Sequence, residues 1–177
     1  MATMILLPDG TGTASSDWIA VGESTRHECL DDDNGATSYV KCNDHLESMI
    51  IEYANPSVAE ANIASITSVR FLSSGRSAHR TDPSLVRIEY EVPSGNPIEQ
   101  VSYDAHRTNY ETINGTARVY SDGPLGGTSW TYSDLESLEL SVIKYQTIEV
   151  YLSYLAIQVI YVEAVSADNA TFFGANF

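Results

Sequence analysis

Positive charge is scarce in this sequence. It has 9 Lys and Arg against 24 Asp and Glu, a formal net charge of −15. Only two of the cations are lysines, Lys41 and Lys144. A duplex nucleic-acid binder needs clustered cations to displace phosphate counterions, so this balance argues strongly against that class. It argues equally against an anionic membrane surface. No apolar run reaches the roughly 18 residues of a membrane-spanning helix. Met1 to Pro8 lacks a basic segment followed by a long apolar core, so no secretory signal is read there. An acidic, lysine-poor surface is compatible with a saline medium, and genome base composition gives the same bias.

Catalytic motifs are missing too. There is no G-x-S-x-G elbow, no H-E-x-x-H and no phosphate loop. His79 and His106 lie beside Arg80 and Arg107 in turn-like sequence and read as surface residues. Carboxylate pairs can be drawn from any acidic chain, and without a cleft they do not argue for a glycosidase. No internal repeat is present. The expectation is a protein that is not an enzyme and carries no cofactor.

What is present is a β pattern. Hydrophobic residues make up 43% of 177 residues, enough for one core without metal or disulfide staples and too many for a disordered chain. β-branched and aromatic residues alternate with polar ones, with turn residues every 8 to 12 positions. That spacing predicts an all-β sandwich or barrel. Strands are expected at Met4–Leu7, Trp18–Val21, His27–Leu30, Ser38–Cys42, Ser48–Tyr53 and Ile66–Leu72, the last ending there or continuing past Gly75 to Ala78. Further strands are expected at Leu85–Val92, Ile98–Tyr103, Asn109–Tyr120, Thr147–Leu152 and Leu155–Val162, the last two separate or joined with a kink. Pro8-Asp9-Gly10 stops the first strand, and Thr11 to Ser16 reads as a small-residue linker. Val58 to Ile63 reads as a helical turn or a loop. One short helix is expected near residues 133–138, with Ser133 as its cap. The fold class is thus all-β, a single antiparallel β-sandwich over residues 1–164.

Residues 165–177 depart from the pattern as a C-terminal tail. Phe172, Phe173 and Phe177 crowd its end behind a polar spacer. They either fold back on the chain's own core or dock on a neighbouring subunit, and the polar spacer favours the neighbour.

Four residues invite a metal reading. His27, Cys29, Cys42 and His45 make an acceptable tetrahedral zinc set, but their spacing matches no standard finger. A Cys29–Cys42 disulfide is geometrically easier, across a hairpin centred near Gly35-Ala36. Two reduced cysteines packed as small apolar residues are the third option. Asp31 and Asp33, with Gly35, resemble the opening of a calcium loop but lack the remaining ligands, so a solvated turn is expected. Eleven tyrosines are present. Tyr103, Tyr110, Tyr120, Tyr132, Tyr145, Tyr151, Tyr154 and Tyr161 are candidates for a sugar-binding face, a protein contact, or core.

Several stretches carry a resemblance in their order and spacing. They are Leu6-Leu7-Pro8-Asp9-Gly10-Thr11, Asp17-Trp18-Ile19-Ala20-Val21-Gly22, and Asp32-Asp33 followed by Thr37-Ser38-Tyr39-Val40. Ile66-Thr67-Ser68-Val69, then Gly126-Gly127-Thr128-Ser129-Trp130-Thr131 with Asp134-Leu135, and Leu155 to Val162 complete the set. Together they resemble β-sandwich virion structural proteins of tailed phages and related viruses. The likeness spans most of residues 3–163; the cysteine pair and the Phe-rich tail depart from it. It implies a jelly-roll-like sandwich serving as capsid decoration, head spike, collar or tail decoration. It also implies a homo-oligomer made in the host cytoplasm and carried on the virion, with other virion proteins as partners. No nucleic-acid or membrane partner is expected. The alternative is a carbohydrate-binding module, and both readings leave room for cell-surface glycans as partners.

Overall fold

The structure, a computed structural model, describes residues 1–32, 37–77, 84–91, 100–105, 111–113, 129–145 and 148–165. Of Phe71, Ser77 and residues 84–91, 100–105 and 111–113, only the backbone is described. The strands are β1 (Ala2–Leu6), β2 (Pro8–Ala14), β3 (Trp18–Val21), β4 (Tyr39–Cys42), β5 (Ser48–Tyr53) and β6 (Ile63–Ser77). They continue as β7 (Ser84–Glu91), β8 (Gln100–Ala105), β9 (Glu111–Ile113), β10 (Glu139–Lys144) and β11 (Val150–Glu163). A 3₁₀ turn at Glu60–Asn62 and helix α1 (Tyr132–Glu136) complete the list.

Strand pairing follows a nested order. β4 pairs β11, β5 pairs β10, β6 pairs β9 and β7 pairs β8, all antiparallel. This is one long ribbon doubled back between β7 and β8. Rolling the ribbon sets β11 beside β6 and β10 beside β7. The result is a jelly-roll sandwich: a six-stranded sheet ordered β3-β4-β11-β6-β9, with β1 also on β11, faces a five-stranded sheet ordered β2-β5-β10-β7-β8. The expected fold class stands.

The core follows from alternation. In β11, Leu155, Ile157, Val159 and Tyr161 are buried, Gln158 and Ile160 between them are half-buried, and the small Ala156 is buried as well. Trp18, Leu6, Leu30, Met49, Ile51, Leu135, Leu140 and Leu152 are fully buried. Each such aliphatic side chain removed from water contributes roughly 1.5–3 kcal/mol.

Three expectations need correction. The Thr11 to Ser16 linker lies mostly in a strand, since β2 runs to Ala14 along the edge of the five-stranded sheet. Pro8 is tolerated there because it opens an edge strand. A Cβ at Gly10 would meet the carboxylate end of Glu52, and one at Gly12 would press lightly on Glu52 and Ile50, so glycine lets β2 lie close against β5. Second, His27–Leu30 is not a strand but part of a turn segment. Its Leu30 carbonyl accepts from Leu155 N at 3.0 Å. That bond fills the stretch of the β11 edge between β4, which covers Val150–Leu152, and β1, which covers Ile157–Tyr161. Third, the helix starts earlier than expected. Thr131, not Ser133, is its cap, in a reciprocal capping box with Asp134.

The segments at the chain's end form one strand, with a register shift between Leu152 and Tyr154. The Phe172, Phe173 and Phe177 tail lies outside the described residues. Among the described residues no helix is long and apolar enough to cross a membrane.

Candidate functional site

Two arrangements stand out, a cleft and a sheet face. The cleft, of about 470 Å³, runs along the edge where β2 and β3 begin their sheets. This size lies in the ~300–1,000 Å³ range of small-molecule sites. Thr11, Ser16, Ser24 and Thr25 bring hydroxyls to it; Arg26 and His27 bring nitrogen. Trp18, with 0% exposure, is the floor, and among the described residues its Nε1–H has no hydrogen-bond partner.

Local chemistry holds the cleft's far wall. Gly22 sits at φ 99°, and a Cβ there would strike the Thr37 backbone, so the chain can turn back over β3 only with glycine. Arg26 then donates Nε–H to the Trp18 carbonyl and Nη2–H to the Ser15 carbonyl, the latter at 3.3 Å. The His27 ring lies 3.4 Å from both Thr11 Oγ1 and Thr25 Oγ1. Thr25 donates from its backbone N (2.9 Å) and its hydroxyl (2.8 Å) to Glu28, and these bonds hold the Glu28 carboxyl below its ordinary range.

The second arrangement lies on the outward face of the six-stranded sheet. Lys41, Tyr151 and Arg76 stand at one register level across β4, β11 and β6. The Arg76 guanidinium carbon lies 3.8 Å above the Tyr151 ring centre. Tyr39 meets the same ring edge-on at 5.4 Å. Tyr151 donates its hydroxyl to Glu149 Oε2 at 2.5 Å, and Glu149 Oε1 lies 3.6 Å from Lys41 Nζ. Further along, Arg70 donates to Gln158 Oε1.

Burial, and then the Glu149 carboxylate, push the Tyr151 phenol up to about 12. The folded state therefore holds that proton more tightly than the unfolded chain. The stabilisation is complete below pH ~10 and is lost as pH rises toward 12. NMR titration of the ring should find this phenol ionising near 12, and Glu149→Gln should move it down toward 10. A wild-type value near 10 would contradict the geometry.

The zinc set does not assemble. Among the described residues no three His, Cys, Asp or Glu gather to hold a metal ion. His27 faces threonines, while the Cys29 thiol donates to Val21 O at 3.6 Å and the Cys42 thiol to Asp44 O at 3.7 Å. His45 is exposed in the β4–β5 connection. The disulfide is not found either: both thiols are free and buried. Its premise was a hairpin carrying Cys29 opposite Cys42, but Cys42 lies opposite Trp18 and Val150 instead. Both side chains pack in the core, and burial pushes the Cys42 thiol up. Asp31 is half-buried, its carboxyl raised by burial and then by Asp32; Asp33 lies outside the described residues.

The tyrosines divide. Tyr161 is core, and Tyr132 donates to Val58 O at 3.1 Å beside the helix. Tyr151 and Tyr154 belong to the outward face, and Tyr145 is half-buried after β10. The side chains of Tyr103, Tyr110 and Tyr120 lie outside the description. Sequence reasoning missed Tyr39, Arg76 and Arg26. Tyr39 was findable, since it shares with Lys41 the outward phase of β4; the Arg26 contacts depend on a turn that only Gly22 signals.

No family model matches this chain, and no curated protein does. Among solved structures it is similar to a family two carbohydrate esterase from Cellvibrio japonicus, at 11% identity and TM-score 0.36. That match covers 93% of this chain and 36% of the esterase, so the chain spans about a third of that protein's length. It is also similar to a CBM4 structure, at 7% identity and TM-score 0.38, covering 84% of this chain and 95% of the other. Likenesses at this level carry no argument about activity.

Proposed function

We propose that the chain is a non-enzymatic structural component of a tailed virus particle, a decoration, spike or collar subunit that assembles by burying surface against copies of itself and other virion proteins. The observation that carries this reading is where the resembling motifs fall. Trp18 and Trp130 are buried, Gly22 makes the turn after β3, Thr131 and Asp134 cap the helix, and Leu135 fills the core. These motifs thus occupy scaffold positions rather than a catalytic constellation, as a rigid building block requires. The outward sheet face, with Ile19 exposed opposite Lys41 and Ile5 and Val162 exposed farther along the sheet, supplies surface for contact.

Light scattering on the whole chain and on a chain lacking residues 165–177 tests this reading. A defined oligomer that falls toward monomer on truncation supports a subunit joined by its tail. A monomer in both forms that binds a specific sugar on a glycan array overturns it.

That outcome would favour a carbohydrate-binding module, and one observation supports this second reading. The β2–β3 cleft is lined with hydroxyls, an imidazole and a guanidinium, all able to bond a sugar. Tyr151 does not supply the open aromatic platform, because Arg76 covers a face of its ring.

A further inference from the structure

The β2–β3 cleft holds a cation that no acid of the chain answers. Arg26, half-buried in the cleft wall, donates Nε–H to the Trp18 carbonyl and one Nη2–H to the Ser15 carbonyl. A guanidinium carries five N–H groups, so three remain. Both partners are neutral, and among the described residues no Asp or Glu pairs with Arg26, whereas Lys41 has Glu149 beside it. No Asp or Glu is among the described residues that line the cleft, although the chain has 24 of them. The acids of the neighbouring turns are bonded elsewhere: Glu28 accepts from Thr25, and Asp17 accepts from the Ser15 hydroxyl. A charge on His27 acts on Glu28 and Asp31, which leaves Arg26 as the cation open to a ligand.

We propose that this cleft binds an acidic saccharide, with the sugar's carboxylate on Arg26 and its ring hydroxyls on the threonine and serine hydroxyls. The planar guanidinium matches a carboxylate in shape and charge. Thr11, Ser16, Ser24 and Thr25 can each donate and accept, as ring hydroxyls do. Ile19, exposed on the same cleft, offers an apolar edge to the C–H side of a ring. A cleft of about 470 Å³ is far larger than a simple anion. A neutral sugar fits less well, because the lining supplies no carboxylate acceptor and the fully buried Trp18 has no open face to stack on. The proposal rests on the sugar-binding reading of the cleft and deepens it by naming the ligand's charge. It holds for a particle subunit as for a lone module.

The test starts with the full chain on an array of neutral, uronate-bearing and sialylated glycans. The strongest acidic glycan is then titrated by calorimetry beside the same glycan with its carboxylate reduced to the alcohol. The acidic form should bind at least about tenfold more tightly, and its affinity should fall as salt rises. Arg26→Gln should remove that preference. Because Arg26 also holds the cleft wall, Ser16→Asp and Ser24→Asp provide a second test at exposed lining positions. Each should weaken the acidic glycan several-fold, leave the unfolding midpoint unchanged and affect the reduced glycan less. An array with no acidic glycan bound, equal affinity for the reduced form, or serine variants that bind like the wild type would each overturn the proposal. Sodium acetate that binds as tightly as the acidic glycan would reduce the site to a simple anion site and also overturn it. Binding of neutral glycans alone would leave the sugar-binding reading standing while this one falls, and none of these outcomes bears on whether the chain is found in particles.

Discussion

Trp18→Ala should destabilise the protein by about 3–5 kcal/mol, close to the whole stability of many domains. Trp18 opens β3 opposite Cys42, has 0% exposure and floors the cleft. Truncation empties the largest fully buried side chain where β3, β4 and the returning segment meet. The backbone there cannot collapse freely, because Arg26 holds the Trp18 carbonyl and Ser15 O accepts from Trp18 N at 3.3 Å. Urea unfolding measures the loss. A change under about 1 kcal/mol would mean that the indole is not packed as described.

Lys144→Met should cost about 2 kcal/mol or more, although it replaces a charge with an apolar group of similar length. The Lys144 side chain has 0% exposure, and its ammonium donates to Asn43 O at 2.9 Å and Asp44 O at 2.8 Å. Burial lowers its pKa, the Cys42 and Asp44 groups partly offsetting this. The methionine would fill the space but leave two carbonyls of the β4–β5 connection without this donor. That connection carries Leu46 at φ 63°, an unfavourable conformation for leucine that the surrounding bonds must hold. The main-chain bonds Leu46 N to Lys144 O (2.8 Å) and Lys144 N to Glu47 O (3.0 Å) survive the substitution, so the loop should loosen rather than detach. Unfolding midpoints of the two proteins give the difference; equal stability would contradict the assigned role.

Much of the fold was legible because alternation reports burial directly. β3, β4 and β5 could be read almost to the residue, and β11 as two adjoining segments. The failures share a cause. β2 is rich in glycine and threonine, so it lacks the apolar alternation of a strand, and its pairing with β5 depends on close approach rather than on side-chain volume. Cys29 and Leu30 look like strand residues because they are apolar, but they are core plugs in a turn, and one carbonyl serves the β11 edge. The site was less legible. The Lys41–Tyr151–Arg76 row joins residues far apart in the chain, and only the sheet register brings them to one level. The zinc and disulfide options failed for the complementary reason, since nearness in sequence did not become nearness across a hairpin.

The central claim, a structural subunit carried on a virus particle, is tested most directly by mass spectrometry of density-purified particles. Peptides from this chain should be recovered with those of the other structural proteins, in a fixed ratio that persists through further purification. Their absence from intact particles, with the protein present in the infected-cell fraction, would contradict the account.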